Sequence, residues 1–163
     1  DSDILMWAYY ANKHSGFRVT FDTEQLVNGN LIFKEVIYQP NRIEINTFRD
    51  DQMQIMVKRM QEASRIKCEA WSHEKEYRLI VSPKQCETEM INGGNEKSFL
   101  GFDTRAVTCI DFGISTPSLE VEKVRGFVEA SYPWIELRKA ELDHFKYKIN
   151  YVGLGSNGHN EPW

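Results

Sequence analysis

An α+β fold, with a mainly antiparallel sheet of about six strands packed with about three helices, is predicted from three features of the sequence. Short runs rich in β-branched and aromatic residues recur along the chain. Three segments read as helices by apolar spacing and capping residues, and no regular strand-helix-strand rhythm joins them. Length fits one domain, predicted over residues 1–152, with 153–163 as a flexible Gly/Asn-rich tail.

The first element is a short helix ending near His14, capped by Ser2 or Asp3, with Ile4, Leu5, Ala8 and Ala11 in a stripe. Trp7, Tyr9 and Tyr10 crowd it and are expected to pack on the sheet, a tyrosine hydroxyl at a pocket mouth being the rarer use. Gly16 suits a left-handed cap, and His14 at the negative end of the helix is read as a cap first and a binding histidine second. Phe17, Val19 and Phe21 alternate with polar residues as in a half-buried strand. The Asn28-Gly29 turn suggests that Leu31–Gln39 doubles back toward that strand before Pro40 closes it.

Residues 50–65 carry Met53, Met56, Val57, Met60 and Ala63 at i, i+3, i+4, i+7 spacing, which predicts an amphipathic helix with this face turned inward. An adaptable methionine-rich partner surface is the alternative. Residues 84–97 are polar with Gly93-Gly94, and an exposed loop long enough for a lid is expected. Ser98–Phe102 and Val107–Phe112 read as strands, and Thr116-Pro117 opens a helix to about Ser131 with Val121, Val124, Phe127 and Val128 inward. Trp134–Arg138 and Phe145–Ile149 supply the last strand-like runs.

Composition narrows the function classes. An apolar share of 41% and a charged share of 27% are those of a globular chain, and a net charge of -4 argues against a nucleic-acid coat, which needs a basic field. Cys68, Cys86 and Cys109 show no paired spacing, so a reducing cytoplasmic setting is expected, and the four histidines lack metal-ligand spacing, so no metal is expected. No apolar run is long enough to span a membrane.

The chemistry-bearing stretch is Trp71-Ser72-His73-Glu74-Lys75-Glu76-Tyr77-Arg78-Leu79-Ile80-Val81. With residues 75–82 as a strand, Glu74, Glu76, Arg78 and Ile80 share one face and Tyr77, Leu79 and Val81 the other, apolar one. Paired carboxylates beside a guanidinium suit acid/base or ribose-gripping work, and equally an Arg-carboxylate ladder on a solvated face. Trp71 and His73 are expected to pack locally.

Two segments, Leu5-Met6-Trp7-Ala8-Tyr9-Tyr10-Ala11-Asn12-Lys13-His14-Ser15-Gly16-Phe17 and Trp71–Arg78, resemble the bacterial family of domains of unknown function numbered twenty-nine seventy-one, with a third echo in Ile110–Ile114. The resemblance spans roughly residues 3–115. Members usually begin with a further segment carrying an F-N-D-P motif, so the resemblance implies a truncated member, the product of a mobile or rearranged gene, or a trimmed chain. Tyr9 stands where the family often has His, which weakens an acid/base role there. The order of motifs is similar to that of ADP-ribosyltransferase-like folds, by analogy.

That analogy implies Glu74, Glu76 and Arg78 as catalytic residues, one acid gripping the nicotinamide ribose of NAD, with Trp7, Tyr9, Tyr10, His14 and Trp71 as ligand-binding residues. The partner would be a small nucleotide. The rival reading is a non-catalytic binding or assembly module, such as a homodimer.

Overall fold

The computed structural model describes residues 4–26, 33–43, 53–91 and 94–155. In chain order these form α1 (Ile4–Tyr10), β1 (Phe17–Phe21), α2 (Thr23–Leu26), β2 (Phe33–Glu35), β3 (Ile37–Gln39), α3 (Met53–Ala63), β4 (Ile66–Cys68), β5 (Tyr77–Leu79), β6 (Glu87–Ile91), β7 (Asn95–Phe99), β8 (Val107–Phe112), α4 (Ser118–Ser131), β9 (Glu136–Leu142) and β10 (Ile149–Gly153). The α+β class is as predicted. The chain divides into two compact units: residues 1–26 with 102–163, here the split unit, and residues 27–101, here the inserted unit.

The split unit is built on a four-stranded sheet in the order β1-β8-β9-β10. Its outer pairs are antiparallel but β8 and β9 run parallel, so the main sheet is mixed, antiparallel in two of its three pairings rather than throughout. The physical reason is α4, which carries the chain back across the sheet between β8 and β9, as a parallel crossover requires. Both faces are covered in part. Phe112, Val121, Val128 and Leu137 form one buried cluster between sheet and α4, and Trp7, Ala11, Ala140 and Ile149 form another under α1.

Several local expectations change here. Trp7 is buried as foreseen, but Tyr9 and Tyr10 point outward, because a seven-residue helix has one narrow face for the sheet. The left-handed residues are Asn12, Lys13 and His14, not Gly16. Gly113 runs so close to that turn that a Cβ on it would sit 2.1 Å from the His14 carbonyl oxygen. Backbone bonds close the turn, from Gly16 N–H to Ala11 O at 2.8 Å and from Ser115 N–H to His14 O at 2.9 Å. Pro117 rather than Thr116 caps α4, and Phe127 is exposed instead of inward. The last strands lie further on than predicted, which leaves Trp134, Phe145 and Tyr147 exposed.

The inserted unit has no comparable sheet. Its strands make three two-stranded ladders, β2 with β5, β3 with β4 in parallel, and β6 with β7. The predicted Leu31–Gln39 strand is broken at buried Val36 into β2 and β3, and β1 pairs with β8 rather than with it. The expected loop at 84–97 is instead the exposed hairpin β6–β7, whose alternation of charged residues on both faces hides its strand character. The methionine stripe of α3 is not turned inward: Met53, Val57 and Met60 are exposed while Met56 and Ala63 are half-buried. The Asn28-Gly29 turn, the start of the predicted 50–65 helix, and most of the tail lie outside the described residues.

Candidate functional site

In the inserted unit the predicted strand at 75–82 shrinks to Tyr77–Leu79. Residues Glu69–Glu74 instead wind into a 3₁₀ helix stopped by Lys75, which takes a left-handed backbone at φ 47°. This turn removes Glu74 from the strand, and Tyr77, expected on an apolar face, is exposed. The acids meet by another route. Parallel pairing of β3 and β4 sets Lys67 opposite Tyr38, and the ammonium of Lys67 reaches both Glu74 and, at 3.1 Å, Oε2 of Glu76.

Arg78 completes the group. Its Nε donates to Oε1 of Glu76 at 2.5 Å and its NH2 to Oε2 at 3.1 Å, while NH1 donates to the Ser64 carbonyl. The backbone N–H of Glu76 donates to the Tyr38 hydroxyl at 2.8 Å. Two carboxylates therefore face two cations. The forked bond from Arg78 chiefly holds the Glu76 carboxyl down at about 2, against a smaller opposing push from burial, and Lys67 adds to the lowering. Contact with Glu74, ahead of the penalty of burial, drives the Lys67 ammonium upward. Glu76, Lys67 and Arg78 are therefore charged at neutral pH, and a carboxyl held so low is a poor proton donor.

Trp71 flanks this quartet, exposed, with the Lys67 Nζ 5.4 Å from its ring centre and the His73 ring 6.1 Å away. His73 Nε2 is enclosed without a hydrogen-bond partner. Lys67 was not singled out from the sequence. Its only signal is a lysine between Ile66 and Cys68 in a β-favouring triplet.

Trp7, Tyr9, Tyr10 and His14 belong to the split unit, so each group of predicted site residues is a feature of its own unit. The Trp7 indole N–H donates to the Tyr151 hydroxyl at 3.0 Å, which makes Trp7 a tether between α1 and β10. His14 acts through its backbone in the turn, with Nδ1 enclosed and unpartnered.

A second charged group sits in the split unit and went unread in the sequence. The register Arg18–Asp111–Arg138 across β1, β8 and β9 lines up two guanidiniums on one fully buried carboxylate. Arg18 binds Oδ2 through Nε at 2.8 Å and NH2 at 2.6 Å, and Arg138 Nε binds Oδ1 at 2.7 Å. Burial pushes the Asp111 carboxyl up, yet the two arginines together outweigh it and hold it below the usual range. Both guanidiniums also lie over the Tyr151 ring, at 4.6 Å and 5.3 Å. Cys109, beside Asp111, has its thiol pushed up to about 11 by burial first and that carboxylate second, so it stays protonated. The available signal was an aspartate inside the apolar run Cys109-Ile110-Asp111-Phe112.

The split unit also holds a cleft of about 340 Å³ between α4 and the β1–β8 edge, walled by Phe17, Val19, Phe21, Ile110, Phe127 and Tyr132 among others. Phe102 closes one end in an edge-to-face contact with Phe21, ring centres 5.5 Å apart. A cleft in the inserted unit, about 330 Å³, is lined by Lys34, Lys58, Gln61, Glu62, Arg65 and Ile80. Among the described residues no three His, Cys, Asp or Glu side chains gather as a metal site would require, and no helix is long and apolar enough to cross a membrane.

These features define an α+β protein whose most conspicuous carboxylates are locked in ion pairs. The model of a family described as "Protein of unknown function (DUF2971)" matches residues 6–79, and over that stretch the chain resembles that family. The match runs from within α1 to the last residue of β5 and holds both segments that suggested the resemblance except Leu5, while Ile110–Ile114 lies beyond it. No curated protein and no solved structure matches the chain.

Proposed function

We propose that this chain is a non-catalytic binding module. The observation that carries the reading is the closed quartet of Lys67, Glu74, Glu76 and Arg78, in which each carboxylate is held by a cation of the same unit. A transferase needs a carboxylate whose charge is directed at substrate. Here the charge of Glu76 is spread over Arg78 and Lys67, an arrangement that holds β4, β5 and the 69–74 turn together. Support for binding comes from the apolar cleft of the split unit, where carbon surface is left open to solvent.

ADP-ribosyl transfer is the competing reading, and one experiment separates the two. The chain and its Glu76→Gln variant are assayed for NAD turnover, and their thermal shifts are recorded with NAD, ADP-ribose and nicotinamide. A ligand at a hundred times its dissociation constant adds about 2.7 kcal/mol of stability. The module reading expects no turnover, no shift that depends on Glu76, and a lower melting temperature for the variant without ligand. Turnover of NAD that Glu76→Gln abolishes in a folded protein would overturn it.

A further inference from the structure

The apolar cleft of the split unit deepens the binding-module reading, on which this inference rests, by naming what is bound. We infer that it is a site for an uncharged aromatic small molecule of two or three rings.

The walls set the chemistry. Phe17, Phe21 and Phe127 are 60%, 40% and 61% exposed, which leaves large rings open along the cleft. Among the described residues, Thr104 and Tyr132 bring the only hydroxyls to the lining and no charged side chain lines it. A charged ligand would lose its hydration there with nothing in return, so the occupant is neutral. Rings meet rings edge to face or offset, as Phe21 does with Phe102 and Phe127 with Tyr132, both at 5.5 Å, and an aromatic ligand extends that arrangement.

Size sets the rest. A dry apolar cavity of about 150 Å³ takes one benzene ring. This cleft, at about 340 Å³, has room for two to three rings and falls in the range of small-molecule sites. A protein partner is the poorer fit, because a stable interface buries roughly 800 Å² on each side, an area far larger than the walls of a cleft of about 340 Å³ present. The floor is firm: Val128 is buried in the same cluster as Phe112, and α4 is fourteen residues long.

The test uses the full chain and N-phenyl-1-naphthylamine, a neutral probe that brightens in apolar surroundings. Saturable binding of one probe per chain is expected, with displacement by naphthalene and at least tenfold weaker displacement by 2-naphthoate, which has similar size but carries a charge. Phe127→Asp should weaken probe binding at least tenfold, whereas Leu119→Asp, on the same helix, exposed and outside the cleft, should change it less than twofold. Non-saturable binding, equal displacement by naphthalene and naphthoate, or equal loss in both variants would each overturn the proposal. So would sedimentation showing a dimer that Phe127→Asp dissolves, since a second copy would then fill the cleft. The ligand comparison needs no variant, so misfolding of Phe127→Asp leaves the test intact. Because Glu76 lies in the other unit, failure here and NAD turnover lost with Glu76→Gln are separate results.

Discussion

The two units solve the same problem of stability with different materials. Of the eleven buried hydrophobic residues among those described, ten lie in the split unit and Val36 alone in the inserted unit. The split unit sets helices on a sheet and buries Phe112, Leu137 and Ile149. The inserted unit has three two-stranded ladders, an α3 whose Met53, Val57 and Met60 face solvent, and the Lys67-Glu74-Glu76-Arg78 network. Charge divides unevenly as well. Residues 27–101 hold 11 Lys and Arg against 11 Asp and Glu, while the rest of the chain holds 9 against 13, so the whole net charge of -4 resides in the split unit.

The contrast can be broken at its strongest point first. Asp111→Ala strands two guanidiniums around an empty site, and a loss of about 3–5 kcal/mol is expected in denaturant unfolding. A loss under 1 kcal/mol would show that the buried triad contributes little.

Next comes a matched pair of truncations. Leu137→Ala in the split unit should cost about 2–5 kcal/mol. Met60→Ala, on a side chain 55% exposed, should stay within roughly 0.5 kcal/mol. A Met60→Ala penalty as large as that of Leu137→Ala would mean that α3 packs in solution and that the contrast is false.

Acid sharpens the comparison further. The folded Glu76 carboxyl, lowered from 4.5 to about 2, contributes stability that is complete above pH 4.5 and is lost as pH falls through that value toward 2. Amide hydrogen exchange should show Tyr77–Leu79 losing protection across this window by roughly 1 kcal/mol, an effect that Glu76→Gln removes. Unchanged protection down to pH 2 would detach the quartet from the stability of the unit.

Salt should give the smallest effect. Raising ionic strength from 0.1 to 1 M shortens the screening length from about 10 to about 3 Å. The quartet's side chains are partly exposed, apart from Glu74, so β5 amides should exchange faster by at most about 1 kcal/mol while those of β8 stay fixed. Equal acceleration in both strands would mean that salt acts on the chain as a whole.

What the sequence revealed follows the same division. Val107–Phe112 and the helix to Ser131 were legible because apolar periodicity reports burial, and burial is what builds the split unit. The same rule misread α3, whose stripe meets no opposing layer among the described residues, and it misread the 84–97 hairpin, whose strands are polar on both faces. Glu76 and Arg78, two apart, were legible as a pair. Lys67 was not, since it joins them through a parallel pairing of β3 with β4 that no local pattern announces. Asp111 escaped because its partners sit 93 and 27 residues away in sequence.

The β1–β8 ladder also orders events during synthesis. Phe17 pairs with Phe112, so β1 leaves the ribosome and waits for nearly a hundred residues before its neighbour exists. All of residues 27–101, a unit continuous in sequence, emerge in that interval. Closing so long a loop carries an entropic cost that grows only with the logarithm of its length. A compact segment formed in that interval shortens the effective tether, so folding of residues 27–101 before β8 emerges should speed closure of the β1–β8 ladder.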